Sequence, residues 1–184
     1  MVTVLVPLAE GFEELEAVTI IDLLRRADIE VITASLDGEP VTASRGTRII
    51  ADTSLDAVVE QEFDMVVLPG GLPGADHLDR DERVHRILQR TAGSGRPVGA
   101  ICAAPKVLAT AGLLEHKKAT GYPGVLDSLG LETTEITNTA VQLDGNILTS
   151  RGPGTAMDFA LEVIAVLAGV QKRDEVESAL ERAA

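Results

Sequence analysis

Apolar runs of strand length alternate along this chain with segments whose apolar residues recur at helical spacing. Val2–Val6 is a short continuous apolar run and predicts a buried first strand. In Glu13–Arg26, Ala17, Ile20, Ile21 and Leu24 stand at i, i+3, i+4 and i+7, with Thr19, Asp22 and Arg26 opposite, the pattern of a one-faced helix. Ile29–Ser35 predicts a second strand, and Val41–Ile50 a short hairpin or edge pair. Asp64–Leu68 reads as a strongly buried strand ending in Pro69-Gly70-Gly71, and Arg83–Ala92 as a helix. Pro97–Ile101 is the next strand, stopping at Cys102, and Ala104–Ala111 a helix closed by Gly112. A short strand near Lys118–Thr120 and a hairpin across Val141–Thr149, turning at Asp144-Gly145-Asn146, precede two helices, Pro153–Leu167 and Arg173–Arg182.

Strand and helix in alternation predict right-handed crossovers and a mostly parallel sheet covered by helices on both faces. The 184 residues suit one domain, and no internal repeat or linker divides them. In such sheets the functional crevice lies beyond the carboxyl ends of the strands. Ala9–Glu16, Leu68–Gly74 and Cys102 each follow a predicted strand, so they should converge in space.

Composition narrows the picture further. Hydrophobic residues make up 45% and aromatics only 2%, without Trp, so the core must be Val, Ile, Leu and Ala, which suits strands buried on both faces. A formal net charge of −13 repels phosphate backbones and anionic lipid, which excludes nucleic acid and membrane surfaces as expected partners. The apolar stretch Val2–Leu8 lacks a basic leader and meets Glu10, Glu13, Glu14 and Glu16 at once, and one cysteine permits no internal disulfide. Together these predict a cytoplasmic protein.

The candidate chemistry centres on Cys102. Gly99, Ala100, Ala103 and Ala104 are small enough for a sharp strand-to-helix elbow, and Pro105 suits a first helical turn. There the thiol would face free N–H groups and the positive end of a helix, both of which lower its pKa. A lone cysteine is otherwise most often a small buried hydrophobe. Glu16 closes the run Glu10-Gly11-Phe12-Glu13-Glu14-Leu15-Glu16. One or two of these carboxyls facing the crevice would serve as acid or base, whereas the run by itself reads as ordinary N-terminal helix charge. Gly70-Gly71 offers close backbone approach and, with the N–H of Ala103, an oxyanion hole; alone it is a tight turn. Arg151-Gly152-Pro153-Gly154 lacks both nucleotide-binding glycine patterns and reads as structure near a subunit interface. His77, His85 and His116 assemble neither a triad with Cys102 nor a metal-binding spacing.

The segments GFEELEAV (Gly11–Val18), VVLPGG (Val66–Gly71), AICAAP (Ala100–Pro105) and LTSRGPGTAMDFAL (Leu148–Leu161) resemble the ThiJ/PfpI superfamily, and within it the branch of the parkinsonism-associated DJ-one protein and its bacterial relatives. The resemblance implies a flavodoxin-like three-layer sandwich and a homodimer with its active sites near the interface. It further implies that Cys102 is the nucleophile, that Glu16 is a protonated carboxyl bonded to it, and that the N–H groups of Gly71 and Ala103 line the oxyanion pocket beside Gly70. Arg45 and Arg151 match arginines near the site and the dimer interface. Two departures stand out. Ala103 replaces the His that follows the cysteine in protease-like members, which argues against a peptidase. Tyr122 replaces a His of this branch, leaving a hydroxyl to orient substrate. The family's activities imply a glyoxalase or deglycase acting on a small reactive carbonyl without metal or organic cofactor. The alternative is a stress-protective, chaperone-like redox sensor whose cysteine is oxidised to sulfinate. A class I amidotransferase shares the elbow but needs a downstream His-x-Glu, which His116-Lys117-Lys118 does not supply.

Overall fold

The structure, a computed structural model, describes residues 1–182. Strand β1 (Thr3–Leu8) is followed by helix α1 (Glu14–Arg26) and β2 (Glu30–Ser35). Short elements come next: β3 (Val41–Thr42), β4 (Arg48–Ile49), β5 (Thr53–Ser54) and α2 (Leu55–Val58). Strand β6 (Met65–Leu68) leads into α3 (Gly74–Arg80) and α4 (Glu82–Gly93), and β7 (Val98–Ile101) into α5 (Pro105–Thr110). The chain finishes with β8 (Lys118–Ala119), β9 (Glu135–Ile136), the hairpin β10 (Val141–Asp144) and β11 (Ile147–Ser150), then α6 (Ala156–Ala168) and α7 (Val170–Ala179).

Seven strands form the central sheet in the order β10-β11-β7-β6-β1-β2-β5. All neighbours run parallel except the edge strand β10, which pairs antiparallel with β11. Alternation along the strands divides the core into two layers. Val4, Val6 and Leu8 of β1 join Met65, Val67 and Ile101 against α1, α6 and α7. Leu5, Val66, Leu68, Val98 and Ala100 face α2, α4 and α5. Strands buried on both faces explain the continuous apolar runs in the sequence.

The observed elements match most of the predicted ones and differ where local pattern is weakest. Val41–Ile50 is a small antiparallel pair, Val41 opposite Ile49. Helix α3 carries few apolar residues, Ala75 and Leu78, in its seven, too few for a periodic signal. Strands β5 and β9 are two residues each, below the length at which alternation can be read. Helix α5 is shorter than Ala104–Ala111, and α7 begins at Val170, directly after Gly169 breaks α6 at φ +88°. The ends of β1, β6 and β7, three adjacent parallel strands, therefore lie side by side, as the crevice argument required.

Candidate functional site

Cys102 directly follows β7 and has φ +64°, a left-handed conformation that costs a non-glycine residue about 1–3 kcal/mol and is held only when its surroundings impose it. Here the imposing bonds are visible. The Cys102 N–H donates to the carbonyl of Ser150 at 2.9 Å, and its own carbonyl accepts from the N–H of Tyr122 at 2.8 Å. The elbow is thus pinned to the end of β11 on one side and to the loop after β8 on the other. The residue is buried, 8% exposed.

Of the clustered carboxylates only Glu16 turns inward. It sits in the first turn of α1, fully buried, and its Oε2 accepts from the N–H of Gly70 at 2.8 Å. Its Oε1 is buried without a hydrogen-bond partner. The others serve the fold. Glu10 accepts from the N–H of Thr42 at 2.9 Å, and the Ser44 hydroxyl donates to Glu13 and Glu14 at 3.0 and 3.2 Å. These bonds tie the β3–β4 hairpin to the start of α1.

The turn after β6 completes the enclosure. The N–H groups of Gly71 and Ala103 face the sulfur of Cys102 and favour its anion, and the Glu16 carboxyl adjoins the same sulfur. Gly71 has φ +88° and lies so close to Gly11, Phe12 and Glu13 that a side chain has no room. The structure thus brings Cys102, Glu16, Gly70, Gly71 and Ala103 together.

Electrostatics in this enclosure belong to the pair rather than to either residue. Burial raises the Glu16 carboxyl to about 7, against the smaller opposing effects of the Gly70 N–H and the Cys102 thiol, with Glu13 adding repulsion. Burial also pushes the Cys102 thiol up to about 12, and the neighbouring Glu16 charge adds to this. The lowered thiol pKa expected from the elbow is therefore not found. The Gly71 and Ala103 N–H groups do pull it down, but burial and a facing carboxylate outweigh them. Near neutral pH the pair is a neutral thiol beside a carboxyl that titrates in the same range as the solvent pH.

The remaining predicted residues lie farther from the sulfur's bonding partners. Tyr122 reaches Cys102 through its backbone, while the residue is 52% exposed and its ring packs over Gly152. Arg45 is exposed in the β3–β4 turn, where its backbone N–H donates to Glu14 at 3.1 Å. Arg151 donates to Oδ1 of Asn138 at 3.0 Å. His77 and His85 bond to the carbonyls of Glu10 and Asp79, away from the thiol, and His116 lies in the loop before β8. No cluster of metal-ligating side chains occurs among the described residues. Sequence reasoning missed a pair beside the site, Lys106 and Asp76, whose ion pair joins α5 to α3. Its one signal was a lysine in the first turn of a helix, where cations are disfavoured.

Comparison with known proteins places the chain among relatives. The chain is 44% identical over 96% of its length to protein dj-1beta of Drosophila melanogaster, covering 95% of that protein. It is 44% identical to DJ-1 homolog A of Arabidopsis thaliana over 97% of this chain but only 46% of that protein, so it spans less than half of this relative's length. A relative in Caenorhabditis elegans, named glutathione-independent glyoxalase DJR-1.2, is 33% identical over 91% of this chain and 89% of its own. Among solved structures, that of Drosophila melanogaster DJ-1beta superposes with a TM-score of 0.95 at 43% identity, covering 100% of this chain and 99% of the other. Oxidised Toxoplasma gondii DJ-1 superposes at 0.94 with 39% identity, each chain covered completely. The model of the DJ-1/PfpI family matches residues 2–166, and the chain belongs to that family.

Proposed function

We propose that this protein is a cysteine-dependent, cofactor-independent glyoxalase or deglycase acting on small α-oxoaldehydes or their early protein adducts, with methylglyoxal converted to lactate. The observation that carries the reading is the buried Glu16 carboxyl, near neutral in pKa, adjoining a sulfur that the N–H groups of Gly71 and Ala103 also face. Catalytic bases work best when their pKa lies near the operating pH. As the Cys102 sulfur bonds to the aldehyde carbon, Glu16 takes the thiol proton and the Gly71 and Ala103 N–H groups stabilise the new oxyanion, giving a hemithioacetal. The aldehyde carbon then loses its hydrogen as a proton and the neighbouring carbonyl carbon gains one. The first carbon is thereby oxidised and the second reduced with no outside oxidant, leaving a lactoyl thioester. Water cleaves that ester, releasing lactate and restoring the thiol. In this reading the Tyr122 ring, packed over Gly152, borders the entering substrate. The C. elegans relative's name supports the reaction type.

The assembly we propose is a homodimer in a reducing, cytoplasmic compartment, where a lone thiol stays reduced. Among the described residues no helix is long and apolar enough to cross a membrane.

The test is lactate formation from methylglyoxal without glutathione. Cys102→Ala should abolish it, and Glu16→Gln should lower kcat by about 10²–10⁴-fold, the usual worth of a positioned acid or base. Undiminished turnover by Cys102→Ala overturns the reading. In the wild type the rate should rise through pH about 7 as Glu16 loses its proton, and that limb should vanish in Glu16→Gln.

A second reading, redox sensing, draws support from the oxidised state of the Toxoplasma structure. The donors that face the sulfur would equally hold a sulfinate. Mild peroxide should then add two oxygens to Cys102 by mass spectrometry, and an unmodified thiol sinks this alternative.

A further inference from the structure

The Lys106–Asp76 ion pair joins the two segments whose Gly71 and Ala103 N–H groups face the Cys102 sulfur. Asp76 lies in the first turn of α3, which starts three residues after Gly71. Lys106 lies in the first turn of α5, which starts two residues after Ala103. The Lys106 ammonium donates to Oδ1 of Asp76, and the two side chains are only 19% and 32% exposed. Helix α5 itself has no use for a cation at that place, because the N-terminal end of a helix already carries partial positive charge. Asp76 stands where the field of α3 favours it. The pair is thus explained by what it connects.

Each partner is rigidly linked to one donor. The Ala75 N–H bonds back to the Gly71 carbonyl at 2.9 Å. On the other side, the Ala104 N–H bonds to the Ile101 carbonyl at 3.0 Å, and the Val107 N–H to the Ala104 carbonyl at 2.9 Å. Sliding α3 against α5 would therefore change the gap between the Gly71 and Ala103 N–H groups. We propose that Lys106 and Asp76 are positioning residues that hold these two donors at the separation the anionic sulfur and the substrate oxyanion require. The proposal deepens the reading of Cys102 as the nucleophile of an α-oxoaldehyde enzyme, and it rests on that reading. It names a device carried by two side chains that bond to neither Cys102 nor Glu16.

The test follows alkylation of Cys102 by iodoacetamide as a function of pH, by mass spectrometry on the full chain, alongside lactate formation from methylglyoxal. Lys106→Met and Asp76→Asn should slow alkylation about fivefold, as expected for one lost pairwise coupling, and move its midpoint to higher pH. Lys106→Arg should keep the wild-type profile. Should a single variant fail to fold by circular dichroism, the reversed pair Asp76→Lys/Lys106→Asp takes its place and should alkylate near the wild-type rate. Superimposable profiles for Lys106→Met and the wild type overturn the proposal. So does a Lys106→Arg as slow as Lys106→Met, or a folded reversed pair that shows the full loss. The two claims fail separately. Pair-dependent alkylation without lactate formation removes the proposed reaction and leaves the positioning role, and pair-independent alkylation with lactate formation does the reverse.

Discussion

A methyl group at Gly70 would lie 2.6 Å from Cβ of Cys102, 2.7 Å from the Ile101 carbonyl and 2.8 Å from Oε2 of Glu16, with backbone on one side and the reacting pair on the other. None of these neighbours can retreat without opening the site. Gly70→Ala should cost about 1–3 kcal/mol, the usual penalty of overpacking, and should also break the Gly70–Glu16 bond. Urea unfolding measures the first, and a lost pH-7 limb of lactate formation the second; a variant matching the wild type in both would refute this account of the close approach. Glu16 makes its own prediction. Its folded pKa of about 7 lies above the ordinary 4.5, so between those values the folded chain holds more protons than the unfolded one. Stability should therefore fall as pH rises through that window and level off above it. The loss is on the order of 3 kcal/mol, at about 1.4 kcal/mol per pH unit. Glu14, Asp52 and Asp81 have lowered pKa values and act with the opposite sign in the acid range below it. Glu16→Gln cannot ionise, so its urea midpoints should lack the fall between pH 4.5 and 7; an equal slope in both proteins would place the effect elsewhere.

Elements show how unevenly local pattern reports structure. Helix α4 was readable because Val84, Ile87, Leu88 and Thr91 form one buried face and because Asp81 caps it, accepting from the Arg83 N–H at 2.9 Å. Asp81 also holds the Arg83 guanidinium, which reaches on to Asp56 and to the Leu36 carbonyl. Asp81→Ala should destabilise the fold by about 1–2 kcal/mol, as loss of a helix cap typically does, read as a lower urea midpoint at unchanged slope. Helix α3, by contrast, exists because the Gly70-Gly71 turn and α5 leave it one place to pack, and its sequence shows almost no periodicity. The same holds for β5 and β9, which are drawn into sheets by neighbours already in place.

At the scale of the whole molecule, Val18 on α1 is 48% exposed and Ile50 after β4 is 83% exposed. With Ile21 and Ile49 they form the apolar half of one shallow hollow of about 300 Å³, whose other half is Asp22, Arg25, Thr33 and Asp52. Adjoining apolar side chains on so acidic a protein suit a face covered by a second copy. Sedimentation should return twice the chain mass, with Ile50→Glu shifted toward the single chain; a wild type that remains single at high concentration would count against the homodimer. The linear sequence was enough for the order of strands and helices, because buried parallel strands and one-faced helices write their environment into hydrophobic period. It was also enough to bring the ends of β1, β6 and β7 together, because right-handed crossovers allow few arrangements. It marked Cys102, Glu16 and the glycine turn as neighbours through that topology and a family resemblance. Tertiary structure alone decided which of four carboxylates turns inward, how far burial raises the thiol, and that Lys106 reaches Asp76. Those outcomes depend on distances of a few ångströms and on how much water is excluded, quantities that residue order does not carry.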